Sequence, residues 1–244
     1  MNLIVAIFLP ILAALFVPLL FKKVKQLHTG WFVLLIPLSL FFFYASFIQR
    51  VANGDIFSST FHWVQSLQLS FISYIDGLSL LFSLLITGIG SLVVLYSIFY
   101  LDKSKEQLHN FYVYLLLFMS AMLGVVQSDN VITLYLFWEL TSISSFLLIA
   151  YWFNRDASRF GALKSMMITV FGGLLMLGGF VLLSMMGDTY SIRELIAQAP
   201  QLAQHDYFTW ALVLILFSAF TKSAQGPFYI WLPDAMEAPT PVSA

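Results

Sequence analysis

The chain has 244 residues, of which 60% are hydrophobic and 9% charged, with a formal net charge of −1 at pH 7 and no cysteine. Soluble proteins carry roughly 25% charged residues, so the composition excludes an ordinary globular domain and points to an all-α polytopic membrane protein. The lack of cysteine excludes disulfides, iron–sulfur clusters and thiolate zinc sites, and the lack of a basic tract excludes a nucleic-acid surface.

About 20 apolar residues cross a bilayer core, and seven segments approach that length: 2–21, 30–49, 77–101, 111–127, 131–153, 162–186 and 207–231. The first is not a signal peptide, because its lysines, Lys22, Lys23 and Lys25, follow the apolar run instead of preceding it. Those three, with Lys103, Lys105, Arg155 and Arg159, fall in loops on one side of the resulting topology, while Arg50 and Arg193 fall on the other. The positive-inside rule makes the first side cytoplasmic and puts the N-terminus outside. Trp31, Trp152, Trp210 and Trp231 sit near helix ends, as an interfacial aromatic belt requires. Trp138 is mid-span beside Glu139 and is expected to shield that carboxylate.

Between the spans, residues 50–76 are polar, and Phe61–Phe71 is expected to form a short hairpin. Ser191 and Glu194 have capping-box spacing, followed by Ile192, Leu195, Ile196 and Ala199 at helical spacing. The pattern predicts a short amphipathic surface helix that Pro200 ends. Asp76 and Asp129 each precede a span and are expected to be N-caps. Ser79, Ser83, Thr87 and Ser91 form an i, i+4 stripe that reads as a helix-packing face, and Gly172, Gly173, Gly178 and Gly179 predict close helix contact. His28, His62, His109 and His205 fall in loops or at membrane edges and are expected to be surface residues or gate residues. The chain stops at Val242-Ser-Ala244 as though a further apolar helix were starting, so a longer protein is expected.

Two residues break the apolar pattern. Glu139 stands alone within 131–153 and Lys222 within 207–231. A charge near the bilayer centre costs roughly 2.5–3.5 kcal/mol on insertion scales, so such residues point to function. Burial penalises each charge by itself, whereas proximity of the two favours an ion pair that titrates as a unit. A proton or cation arriving nearby would weaken the pair and let Lys222 release its proton. A static interhelical bridge is the structural alternative. Ser218, Lys222 and Gly226 share a face, with Gln225 one turn on, and Gly226-Pro227 is expected to break the helix. Such breaks occur where freed backbone is buried in protein or lines a water-filled cavity. Thr141, Ser142, Ser144 and Ser145 are placed to hydrogen-bond the carboxylate or water. Lys164 reads either as a lysine snorkelling toward the helix end or as a relay residue.

The stretches Phe137-Trp-Glu-Leu-Thr-Ser-Ile-Ser-Ser-Phe146, Lys222-Ser-Ala-Gln225 and Trp231-Leu-Pro-Asp-Ala-Met-Glu-Ala-Pro-Thr-Pro-Val-Ser-Ala244 resemble the antiporter-like subunits of respiratory complex I and the Mrp antiporters. Ile75-Asp-Gly-Leu-Ser79 and Ser128-Asp-Asn130 fit the same family. His28-Thr-Gly-Trp-Phe32 and His109-Asn-Phe-Tyr-Val-Tyr114 look most like the A-type branch of the Mrp subunits. The resemblance implies inverted five-helix repeats, each with a broken helix. Residues 1–106 would be N-terminal helices 1–3 with the external loop 50–76. Residues 107–244 would be helices 4–7 and the start of helix 8 of an incomplete first repeat. It implies that Glu139 and Lys222 are the ion-translocating pair, with Lys164 beside them, in a monovalent cation (Na+)/proton antiporter of the bacterial cell membrane. Other antiporter subunits, protons, Na+ and the lipid bilayer would be its partners, with no cofactor and no metal. Many relatives have histidine in the Pro-Phe-His-x-Trp-Leu-Pro motif, where this chain has Tyr229 after Pro227. A phenol is too weak an acid to relay protons well near neutral pH, so a histidine relay is in doubt there. The competing readings are a proton-pumping subunit of a redox-driven respiratory complex and a structural membrane scaffold.

Overall fold

The computed structural model describes residues 2–23, 28–64, 69–102 and 107–243. Lys25, Lys103 and Lys105, on which the orientation partly rests, lie outside the described residues, as do the side chains of Lys22 and Lys23.

In chain order the elements are helices α1 (Leu3–Lys23), α2 (Gly30–Ala45) and α3 (Ile48–Ala52), strands β1 (Phe57–Val64) and β2 (Leu69–Ile75), then α4 (Gly77–Tyr100), α5 (Leu108–Gln127), α6 (Val131–Ile149) and α7 (Asp156–Gly187). Short helices α8 (Ile192–Ala197) and α9 (Ala199–Leu202) lead into α10 (Phe208–Lys222), α11 (Leu232–Ala235) and α12 (Thr240–Ser243). Five helical stretches among the described residues are long and apolar enough to cross a membrane, and Leu3–Leu19 and Phe208–Lys222 are shorter apolar helices. Each of the seven expected spans therefore contains one of these helices, the last of them only as far as Lys222. Large apolar side chains such as Leu15, Phe42, Phe99, Met167 and Met185 stay exposed on the outside, where lipid takes the place of water.

Packing runs α1 on α5, α5 on α6, α6 on α7 and α7 on α10, with α2 against α4. Small residues set these approaches, as in other membrane bundles. A Cβ on Gly124 would overlap the Phe137 ring, and one on Gly179 would press on the Ala211 carbonyl and Ile215. Hydroxyls of the α4 stripe are satisfied within the helix: Ser83, Thr87 and Ser91 each donate to the carbonyl four residues earlier at 2.7 Å. The stripe is buried and meets Gln127 of α5, whose amide donates to Ser83 Oγ and to the Tyr44 hydroxyl, both at 2.9 Å. It is a packing face.

The hairpin is present and longer than expected, pairing Phe57 with Ile75 through to Val64 with Leu69. Its edge is extended by the α5–α6 turn and then by the segment before α8, through bridges Ser73–Ser128 and Asn130–Ser191. Asp76 caps α4 in a reciprocal box with Ser79.

Four local expectations need correction. Asn130, not Asp129, caps α6, its Oδ1 accepting from the N–H groups of Ile132 and Thr133. Asp129 is buried and accepts instead from Ser191 Oγ at 3.2 Å and from Arg193 N and Nε at 3.1 and 2.8 Å. Pro200 does not end the surface helix; it opens α9, where a missing N–H costs nothing. Glu194 does not close a capping box, because its carboxylate takes the Thr189 hydroxyl. His28 and His109 are half-buried and are not surface residues: His28 lies edge-on to Tyr112 with ring centroids 6.0 Å apart, and His109 lies in the first turn of α5.

Candidate functional site

α7 is the spine of the site. It packs on α6 on one side and α10 on the other, and its glycines decide how closely. A Cβ on Gly173 would overlap Glu139 Oε1, and one on Gly172 would overlap Thr221 Oγ1. The predicted glycine contact is therefore the contact that seats the Glu139 carboxylate. Glu139 Oε1 is buried and has no hydrogen-bond partner among the described residues. An unsatisfied carboxylate oxygen in a buried place is costly.

Lys222 ends α10. Its Nζ donates to Thr141 Oγ1 and to Ser142 Oγ, each at 2.8 Å, and lies 5.4 Å from the Trp138 ring centroid. Thr141 and Ser142 therefore accept from the ammonium and do not serve the carboxylate. Trp138 turns its face toward the cation, which is a favourable electrostatic contact. No N and O of Glu139 and Lys222 come within the 4.0 Å of a contact ion pair. The expected direct pair is instead a lysine held by two hydroxyls beside a carboxylate left unbonded.

The helix break comes four residues earlier than the Gly226-Pro227 signal suggests, at Lys222 itself. Ala224 takes a left-handed backbone (φ +51°) and Gln225 N donates to Phe220 O at 3.0 Å. This is a Schellman ending with alanine where glycine is usual. Because the helix stops there, Gly226 does not share a helical face with Ser218 and Lys222, and Gln225, Gly226, Pro227 and Tyr229 are exposed. None of these four is brought to the Lys222 ammonium. The freed Thr221 carbonyl is satisfied by the indole N–H of Trp231 at 2.9 Å, so the lower half-helix folds back onto the broken end. Lys222 sits in the last turn of α10, where a cation also complements the helix dipole. Ser218 is buried on α10 with its Oγ unpartnered among the described residues.

A cavity of about 540 Å³ opens beside the broken helix. Lys222, Ser142, Ser145, Ser165 and Thr169 form its polar wall, and α4 and α5 supply apolar side chains such as Leu85, Ile89, Phe118 and Met122 opposite. Ser165 and Thr169 give no signal in the sequence, where one hydroxyl per turn of α7 looks like ordinary small-residue packing. Lys164 reaches neither Glu139 nor Lys222; its Nζ bonds Asp234 Oδ2 at 2.7 Å. Asp234 also escapes sequence reasoning, although it stands in the Trp231–Asp234 stretch just after the break. Among the described residues no group of three His, Asp or Glu side chains is arranged to hold a metal ion.

Residues 128–244 match the family model described as NADH:quinone oxidoreductase/Mrp antiporter, TM, and residues 61–112 match that of the NADH-ubiquinone oxidoreductase (complex I), chain 5 N-terminus. The A1 subunit of the Na(+)/H(+) antiporter of Staphylococcus haemolyticus is 61% identical over 240 residues, covering 98% of this chain and 30% of that protein. The corresponding A-type Na(+)/H(+) antiporter subunit of Alkalihalophilus pseudofirmus is 59% identical over 235 residues, covering 96% and 29%. The chain thus spans about three-tenths of the length of these relatives. A chain in the structure of the Mrp complex from a Dietzia species superposes with a TM-score of 0.86 at 30% identity, covering 99% of this chain and 26% of that one. The membrane-bound sulfane sulfur reductase, an archaeal respiratory membrane complex, gives 0.82 at 23% identity, covering 99% and 49%, a likeness of fold alone.

Proposed function

The chain belongs to the antiporter-like membrane-subunit family shared by Mrp antiporters and NADH:quinone oxidoreductases, and on that premise we propose that it is the proton-translocating part of a Na+/H+ antiporter subunit. In this reading it is a transporter component and not an enzyme, and it works with other subunits of a hetero-oligomeric complex in the bacterial cell membrane, its N-terminus outside. Residues 107–244 contribute the beginning of the first repeat, with Glu139 and Lys222 as the switch and Lys164 in support.

The observation that carries the reading is the state of the two charges. Lys222 is parked on Thr141 and Ser142 at the end of a broken helix, facing a cavity. Glu139 Oε1, one turn away from Ser142 on α6, is buried without a partner. Such an arrangement has two available states. In one, Lys222 leans on the hydroxyls; in the other, it moves onto Glu139. A proton reaching Glu139 removes the attraction and favours the first state, in which the lysine faces cavity water and can release its own proton. Inward proton movement would then be coupled to sodium export. Close identity to proteins named as Na(+)/H(+) antiporter subunits favours sodium coupling over a redox drive.

The test uses everted membrane vesicles with the full-length protein and its partner subunits, energised by a respiratory substrate, with the pH gradient followed by a fluorescent dye. Sodium is expected to collapse the gradient in wild type and not in Lys222→Ala at equal assembly. A wild type indifferent to sodium would sink the antiporter reading in favour of the redox-driven pump. A Lys222→Ala variant that behaves as wild type would make Lys222 structural.

A further inference from the structure

α7 carries a graded series of groups. From its Arg155 end come Gly161 and Lys164, then Ser165 and Thr169 on the cavity wall, then Gly172 and Gly173 against Thr221 and Glu139. The step from Lys164 to Gly173 is about 13 Å along the helix. At the lower end Lys164 is bonded to Asp234 at 2.7 Å, and both side chains are partly exposed, 29% and 37%. Asp234 lies on α11, the half-helix after the break, and is held close by Gly161: a Cβ there would overlap the Asp234 carbonyl oxygen. Trp231, three positions before Asp234, ties the same half-helix to the Thr221 carbonyl next to Lys222.

We propose that Asp234 is a proton-carrying residue, and that the Lys164–Asp234 pair is the cytoplasm-side mouth of the path whose inner station is Lys222. The proposal rests on the antiporter reading above. The Lys222 ammonium gives a proton to cavity water. The water passes it along Ser142, Ser145, Thr169 and Ser165 to the Asp234 carboxylate when Lys164 swings aside. The neutral carboxyl then releases it to bulk water, and Lys164 returns to the carboxylate. Lys222 is reloaded from the Glu139 side, so every group ends where it began. A closed Lys164–Asp234 bond blocks this exit, and so keeps the inner switch from leaking while Glu139 is loaded. The pair adjoins the cavity through its neighbours in sequence, Ser165 and Ala235, which both line it.

Two measurements on the full-length complex in vesicles test this. Asp234→Asn keeps an acceptor for Lys164 but cannot take a proton; Asp234→Glu keeps both. The expected result is a loss of sodium-dependent proton flux of at least about tenfold in Asp234→Asn, with assembly unchanged, and retention of most flux in Asp234→Glu. Independently, a hydrophobic carbodiimide, which modifies protonated carboxyls, is expected to label Asp234 in the wild-type complex, read by peptide mass spectrometry; this measurement stands even if Asp234→Asn fails to assemble. Wild-type flux in Asp234→Asn, or an unlabelled Asp234, overturns the proposal. Loss of the sodium response in wild type, or its survival in Lys222→Ala, overturns the underlying reading instead.

Discussion

Gly173 and Glu139 fit together as a socket and its occupant: the glycine has no side chain where the carboxylate oxygen Oε1 lies, and a methyl group there would overlap it. Oε1 can be buried there without a hydrogen bond because the neighbouring helix leaves that space. The first prediction concerns this socket. Gly173→Ala is expected to push Glu139 away from its position and reduce sodium-dependent proton flux at least about tenfold, a displacement effect of the size that small misplacements cause. Flux per assembled complex in vesicles is the measurement.

The hydroxyls that hold Lys222 give the second prediction. Hydrogen bonds to a charged group contribute about 1.5–3 kcal/mol each, so replacing both by Thr141→Val and Ser142→Ala leaves the ammonium without its parking place and favours Glu139. Proton release into the cavity is then disfavoured, and flux is expected to fall more in the double variant than in either single one. Equal flux in all three would remove these hydroxyls from the mechanism.

A third prediction separates two adjacent glycines on α7. A Cβ at Gly178 would meet Leu214 Cδ1 at 3.6 Å, an ordinary contact, whereas one at Gly179 would meet the backbone carbonyl of Ala211 at 2.8 Å. Gly178→Ala is expected to leave the thermal unfolding midpoint of the purified complex unchanged. Gly179→Ala must separate α7 from α10 and is expected to cost about 1–3 kcal/mol.

The fourth concerns the latch between the α5–α6 turn and α8. Asp129 is 3% exposed and accepts three hydrogen bonds, and the Arg193 guanidinium also lies 4.1 Å from the Tyr74 ring centroid. Burial works against the Arg193 charge, but hydrogen bonding and charge from Asp129, and then Tyr74, outweigh it and hold the guanidinium above its ordinary value. A raised cationic group stabilises fully below its unfolded value, and that stability is lost only as pH rises through the raised one. The Arg193 contribution is therefore expected to be constant across neutral and moderately alkaline pH. Asp129→Ala is expected to destabilise by about 1–3 kcal/mol and to make the 188–206 segment easier to proteolyse, at any pH in that range.

The spans were legible because apolar length and loop charge are properties of the sequence itself, and Glu139 and Lys222 stood out as charges against that background. Less legible was everything set by a neighbour distant in sequence. Asp129 and Asn130 both have N-cap chemistry, and only the arrival of Arg193 decides which one caps α6. Gly226-Pro227 is the stronger breaking signal, yet α10 stops at Lys222 because Ala224 turns left-handed and Trp231 takes the Thr221 carbonyl. Asp234 stands within a recognisable motif, but its partner Lys164 is 70 residues away, and no local pattern connects them. Tyr229 is conspicuous in the sequence for replacing a histidine, yet it is 59% exposed.

The central claim is that Glu139 and Lys222 act as one unit, and a double-mutant cycle addresses it most directly. Sodium-dependent proton flux would be measured in vesicles for wild type, Glu139→Gln, Lys222→Met and the double variant, normalised to assembled complex. If the two form a single switch, the double variant loses no more than the worse single one, since either change already disables the unit. If the two losses multiply, the residues act independently, and the switch is contradicted.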